Sequence, residues 1–193
     1  MKTKILLPLI ATVAAVIAGC GTPGHYVETG GRENIVSVND VNIQDFISAG
    51  NAMTASLLSS GVLDRVPKPP AILAMSRIVN NTGQQIDTDL LTKRIRVALL
   101  QSGKAVTTTT FGQVEDPLAK SIQQEQVATG NQPATPLPNF TLSGKIIQVN
   151  AASGDYKQAT FSFQLSMTDQ RGLAVWEDQK EITKQGSKPG IGF

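Results

Sequence analysis

The sequence predicts an α+β fold, with helices packed on a mixed β-sheet that ends in a three-stranded antiparallel meander. Three observations carry this expectation. Two segments, about 40–60 and 88–102, place apolar residues at helical spacing. A short run, Ala71 to Val79, is apolar on both faces until Ser76 and Arg77, as a central strand covered on both sides would be. Further on, Ala159, Phe161, Phe163, Leu165 and Met167 alternate strictly with Thr160, Ser162, Gln164, Ser166 and Thr168, which marks a strand with one buried and one polar face. The expected order is α-β-α-β-α-β-β-β, with no internal repeat.

Taken from the N-terminus, the chain begins with Met1-Lys2-Thr3-Lys4, an apolar stretch from Ile5, and small residues from Ala11 to Ala18. A short cationic stretch, an apolar core and small residues make a secretory signal. The apolar run is about fifteen residues, short of the roughly 20 that span a bilayer as a helix, and Pro8 interrupts it. It ends in Ile17-Ala18-Gly19-Cys20, which resembles the bacterial lipobox. In that family the thiol takes a diacylglycerol, cleavage falls between Gly19 and Cys20, and the new amine is acylated. Two or more acyl chains make a stable anchor where one is marginal. The plainer alternatives are an ordinary secretory signal with a leftover thiol, or a structural buried cysteine. Cys20 is the only cysteine, so no disulfide can form within one chain.

Export changes the charge argument. The full sequence has 17 basic and 15 acidic residues, but removing Lys2 and Lys4 with the signal leaves 15 of each. A neutral mature chain has no electrostatic bias towards nucleic acid or an anionic membrane surface.

Residues 20–39 are polar, glycine-rich and aperiodic, and read as a lipidated N-terminus followed by a flexible linker. Residues 40–185 make one domain, and the tail 186–193 is expected to be loose. Asp40 is the expected N-cap of the first helix, with Phe46, Ile47, Met53, Leu57 and Leu58 on one face and Gly61 as its stop. Pro67-Lys68-Pro69-Pro70 breaks the chain before the strand 71–79, and Asn80-Asn81-Thr82-Gly83 forms a turn. Asp87 is the expected cap of the second helix, which carries Leu91, Ile95, Ala98 and Leu99 as its stripe and ends at Gly103. Lys104–Thr110 is β-branched and reads as a short strand. A third helix is expected at about Asp116 to Ala128, and Thr129–Pro138 as a loop. Phe140, Leu142 and Ile146 begin a strand in which Gly144 is a candidate bulge. Asp169-Gln170-Arg171-Gly172 is a hairpin turn, and Leu173 to Thr183 returns as the last strand, with the chain beyond it loose.

The residues needed for common chemistry are scarce. His25 is the only histidine and sits in the glycine-flanked linker, where no nucleophile can be held against it, so it is expected to be solvated. No CxxC or HExxH occurs, and neither metal ligands nor a cofactor is expected. Asp87 and Asp89 suit a helix's first turn without calcium-loop spacing. Glu115, Asp116, Asp155, Glu177, Asp178 and Glu181 are the candidate acids for carboxylate-pair hydrolysis. The run Glu177-Asp178-Gln179-Lys180-Glu181 reads more simply as a charged, solvated strand edge. No phosphate-binding glycine loop is present. Thr160, Ser162, Gln164 and Ser166 are the candidate partner-binding residues, on a polar face that ordinary solvation or a polar helix also explains.

Four stretches, "RIVNNTG" (77–83), "LLTKRIRVALLQSGK" (90–104), "FTLSGKI" (140–146) and "RGLAVWE" (171–177), together with the anchor and element order, resemble the LpoB family of outer-membrane lipoproteins. The resemblance covers 41–185. It implies a non-enzymatic regulator that binds and activates a bifunctional penicillin-binding protein, the synthase that polymerises and crosslinks peptidoglycan. The best-known members of that family have a long proline-rich linker, and the one here is short. CsgG and the N-terminal domain of TolB share a related architecture, which makes an envelope assembly or secretion accessory the alternative. No segment here matches the pore-forming hairpins of CsgG. A cell-wall hydrolase is the third reading. Gly21 stands where an aspartate retains many enterobacterial lipoproteins in the inner membrane, so the outer membrane is the expected location, facing the periplasm.

Overall fold

Helix α1 (Ile43–Ser59) starts where Asn42, in extended conformation, meets Asp45, whose carboxylate accepts the Asn42 N–H at 2.8 Å. The expected cap, Asp40, lies outside the helix and instead accepts a hydrogen bond from the Ser37 hydroxyl. Two residues decide this difference: Asn42 is also a good N-cap, and only it has an acid three positions on to close a capping box. The computed structural model describes residues 24–108 and 137–187. The signal region, the expected third helix, most of the loop after it and the last six residues lie outside these.

Phe46, Ala49, Met53 and Leu57 form the buried stripe of α1, while Ile47 and Leu58 are half-buried at its margins. Gly61 follows at φ +69°, and Gly103 follows α2 (Asp89–Gln101) at φ +71°. Both are left-handed positions that stop a helix and that glycine adopts without a Cβ penalty. Thr88 is the N-cap residue of α2, one place beyond the expected Asp87. Asp87 still contributes, because its Oδ1 accepts the Asp89 N–H at 2.9 Å. Thr88 is buried because its hydroxyl donates to the Ile78 carbonyl at 2.7 Å. Leu91, Ile95 and Leu99 are buried with Thr92.

Among the described residues, six strands form one mixed sheet. They are β1 (Ala71–Met75), β2 (Val79–Asn81), β3 (Ala105–Thr107), β4 (Phe140–Ser153), β5 (Tyr156–Asp169) and β6 (Ala174–Ser187). The order is β3-β1-β4-β5-β6, with β2 also paired to β4. Pairing is parallel among β1, β2, β3 and β4 and antiparallel through β4-β5-β6. α2 connects β1 and β2 to β3, the crossover that parallel neighbours require. α1 and α2 pack together, with α1 over β6 and α2 beside β3. The rings of Phe46 and Phe163 meet edge-to-face at 6.0 Å, which seats α1 on β5.

The run read as one strand, 71–79, is two. Between Met75↔Leu142 and Val79↔Lys145 there are three residues on this side against two on β4. The extra residue reverses which way side chains point. Ile78 therefore turns into the core at 4 % exposure, and Val79 turns out at 55 %.

Gly144 is not a bulge, since β4 and β5 keep one register from Phe140↔Asp169 to Ser153↔Tyr156. Its role is close approach: a Cβ there would lie 2.5 Å from the Gln164 carbonyl oxygen and 2.6 Å from Leu165 Cδ2. The irregularity is instead between β5 and β6, at Met167/Thr168.

β6 continues to Ser187, past the expected end at Thr183 and two residues into the segment expected to be a loose tail. Lys184 explains this. It is buried on the helix side, its ammonium paired with Asp45, donating to the Asp40 carbonyl at 2.7 Å and lying 5.2 Å from the Phe161 ring centre. The last residues before α1 close over the same end of β6. A Cβ on Gly186 would lie 2.8 Å from Val38 Cγ2, and the Asn39 carbonyl accepts from Gln148 Nε2 at 3.1 Å. The final part of the expected linker is thus attached to the domain.

Candidate functional site

Helices occupy one side of the sheet, so alternate residues of β4, β5 and β6 face the other side. The strict alternation in β5 decides which. Ala159, Phe161, Phe163, Leu165 and Met167 are each at most 3 % exposed and join the core, while Thr160, Ser162, Gln164 and Ser166 turn away and are half-buried. The four predicted docking residues are therefore brought together on one face, in a row roughly 20 Å long at strand spacing.

β6 doubles this row. Thr160 pairs with Thr183, Ser162 with Glu181, Gln164 with Gln179 and Ser166 with Glu177. The Thr160 and Thr183 hydroxyls are 2.9 Å apart, and the Ser166 hydroxyl donates to Glu177 Oε1 at 2.8 Å. Gln164 Nε2 reaches both Ser162 Oγ and Gln179 Oε1 at 3.4 Å. These cross-strand contacts fix the side chains as a flat lattice of hydroxyls, amides and carboxylates. On the β4 side, Lys145, Ile147 and Val149 occupy the same face, so β4 adds two apolar residues beside Lys145.

The candidate acids among the described residues do not converge. Asp155 is at the exposed β4–β5 hairpin, Glu177 and Glu181 face the open side, and Asp178 faces the opposite side of β6. Glu115 and Asp116 are outside the described residues, as are Gly19 and Cys20. His25 is exposed, with Nε2 4.0 Å from Glu33 Oε2. Among the described residues there is no group of three potential metal ligands, and no helix is long and apolar enough to cross a membrane.

Asp169 has a displaced titration. Hydrogen bonds from the Arg171 guanidinium at 2.8 and 2.9 Å, then the Leu173 and Arg171 backbone N–H groups, hold its pKa below the usual 3.8. It stabilises the β5–β6 turn, where Gly172 takes φ +80°.

Sequence reasoning missed the buried pair Lys184–Asp45. A lysine after "EIT" near the C-terminus carries no signal of burial, because its partner lies 139 positions away on α1.

Among the described residues, fold and face together define an α+β domain in which two helices pack on one side of the sheet and the other side carries a regular array of hydrogen-bonding groups. The chain belongs to the LpoB family. The family model described as peptidoglycan-synthase activator LpoB matches residues 45–182. Among solved structures, the LpoB C-terminal domain from Salmonella enterica is 14 % identical, with 72 % of this chain and 98 % of that one covered and a TM-score of 0.44. The corresponding Escherichia coli domain gives 14 %, 72 %, 98 % and 0.42. The NMR structure of E. coli LpoB gives 15 % identity over 96 % of this chain and 90 % of that one, with a TM-score of 0.39. No curated protein matches this chain.

Proposed function

We infer that this protein is a lipid-anchored envelope lipoprotein that binds a peptidoglycan synthase, a class A penicillin-binding protein, and raises its activity by contact. The observation that carries this reading is the family match over 45–182. The lipobox-like end of the signal supports an anchor at Cys20, and Gly21 beside it supports the outer membrane, with the domain facing the periplasm. The docking face is the row Thr160, Ser162, Gln164 and Ser166 with its β6 partners. Its ordered hydroxyls, amides and carboxylates offer directional hydrogen bonds to a folded protein surface. The protein's part in synthesis is regulatory.

The test uses the mature chain, 20–193, with Cys20→Ser, and the class A synthase of the source organism. Binding in the micromolar range or tighter, about −8 kcal/mol, with faster glycan polymerisation is the expected result. Absence of both binding and stimulation refutes the reading. Replacing Ser162 and Gln164 with arginine sets two cations into the lattice and is expected to weaken binding about tenfold, roughly 1.4 kcal/mol. Unchanged binding by that variant removes this face from the interface.

A further inference from the structure

The sheet protects its edges unequally. β3 is only three residues long. β6 carries Glu177, Asp178, Lys180 and Glu181 along its exposed length, and β5–β6 pairing is irregular at Met167/Thr168. Short strands, charges and bulges are the usual means by which edges avoid pairing with another chain. β4 has none of them along its second half. β2 covers it only as far as Ile147, and from Gln148 to Ser153 it pairs with β5 alone. That stretch, Gln-Val-Asn-Ala-Ala-Ser, has no charge and no proline.

Gln148 closes one end of this edge. Its Oε1 accepts the Gly83 N–H at 3.0 Å, and its Nε2 donates to the Asn39 carbonyl. Beyond it Val149 is 62 % exposed, and Ala151 and Ser153 are also exposed. Alternate residues of a strand turn their N–H and C=O groups to the side away from their partner. Between Val149 and Ser153 these groups meet no hydrogen-bonding partner among the described residues. A regularly spaced backbone ladder with no partner among the described residues matches an extended polypeptide as its occupant. The side chains narrow the choice further. Val149 and Ala151 lie on the open face beside Ile147, so the added strand should carry apolar residues on that face and no charge between them.

We propose that the β4 edge, Val149–Ser153, receives an extended segment of the partner protein as an additional strand. This rests on the reading of the protein as a synthase activator and adds how the synthase is held. The strand extends the docking face on its apolar side, where β2 has ended.

The experiment uses the same mature chain and synthase. The backbone amides within 149–153 that point away from β5 should exchange with deuterium at least about tenfold more slowly in the complex than in the free chain, as ladder hydrogen bonds require. Val149→Lys and Ala151→Lys, at exposed positions, should each weaken binding about tenfold without moving the thermal midpoint. A complex that forms with unchanged exchange at 149–153, or lysine variants that bind normally, overturns the strand-addition proposal and leaves the activator reading standing. Failure of the unaltered chain to bind overturns both. Sedimentation showing a dimer of this chain that the lysine variants abolish would make a second copy the occupant and also overturn the proposal.

Discussion

Lys184 and Asp45 are 8 % and 7 % exposed at their side chains, so each charge depends on the other. Removing one partner of a buried pair costs about 3–5 kcal/mol, while replacing both by apolar groups of similar size is often close to neutral. Lys184→Met should therefore lower unfolding stability by about that amount, and Asp45→Leu with Lys184→Met should recover most of it. A double-mutant cycle in urea checks this; equal stability of Lys184→Met and the unaltered chain would contradict the burial argument. Gly144 presents the opposite constraint, a missing side chain. Gly144→Ala places a methyl against a backbone oxygen and should destabilise by about 1–3 kcal/mol, read from the same denaturation curves. At Cys20 the expected outcome is chemical. Cys20→Ser should abolish fatty-acid labelling and move the protein from membranes to the soluble periplasmic fraction.

The β5–β6 turn is the element whose stability should depend on pH. Arg171 and two backbone N–H groups favour ionised Asp169 in the folded state, so its folded pKa is lower than its unfolded one. A depressed carboxylate contributes stability above the unfolded pKa and loses it as pH falls through the folded value. Unfolding curves should thus show a loss below about pH 4 that Asp169→Asn reduces; identical slopes for the two proteins would exclude this turn as its source. Elements were legible where one local rule dominated. The alternation of 159–168 specified the facing of β5, which extends beyond it to Tyr156–Asp169, and Gly61 and Gly103 marked both helix ends. Reading failed where two rules competed within a few residues. Asp40 and Asn42 are both capping residues, and only the acid at 45 selects between them. Gly144 has the signature of a bulge as well as of a close strand contact, and the 2.5 Å approach that decides it comes from Gln164, on the next strand.

At the scale of the molecule, α1 and α2 are buried against one side of the sheet, and among the described residues the other side is left for the docking we propose. The polar row was legible because its period of two, set against an apolar row of the same period, can only be a two-sided strand. Its partner row on β6 was not, since the pairing of Ser166 with Glu177 depends on the register left by the hairpin turn. The stretch of β4 that among the described residues pairs with β5 alone was invisible for a similar reason: an edge exists only once the neighbours of a strand are known. The sequence by itself determined the two amphipathic helices, the alternating strand and the tight turn after it. Each follows from interactions between residues close in the chain. Tertiary structure alone decided that the apolar run 71–79 splits and exposes Val79, that Lys184 is buried on Asp45, and that β4 outruns β2. These depend on register, and register is set by how distant segments fit together around one core.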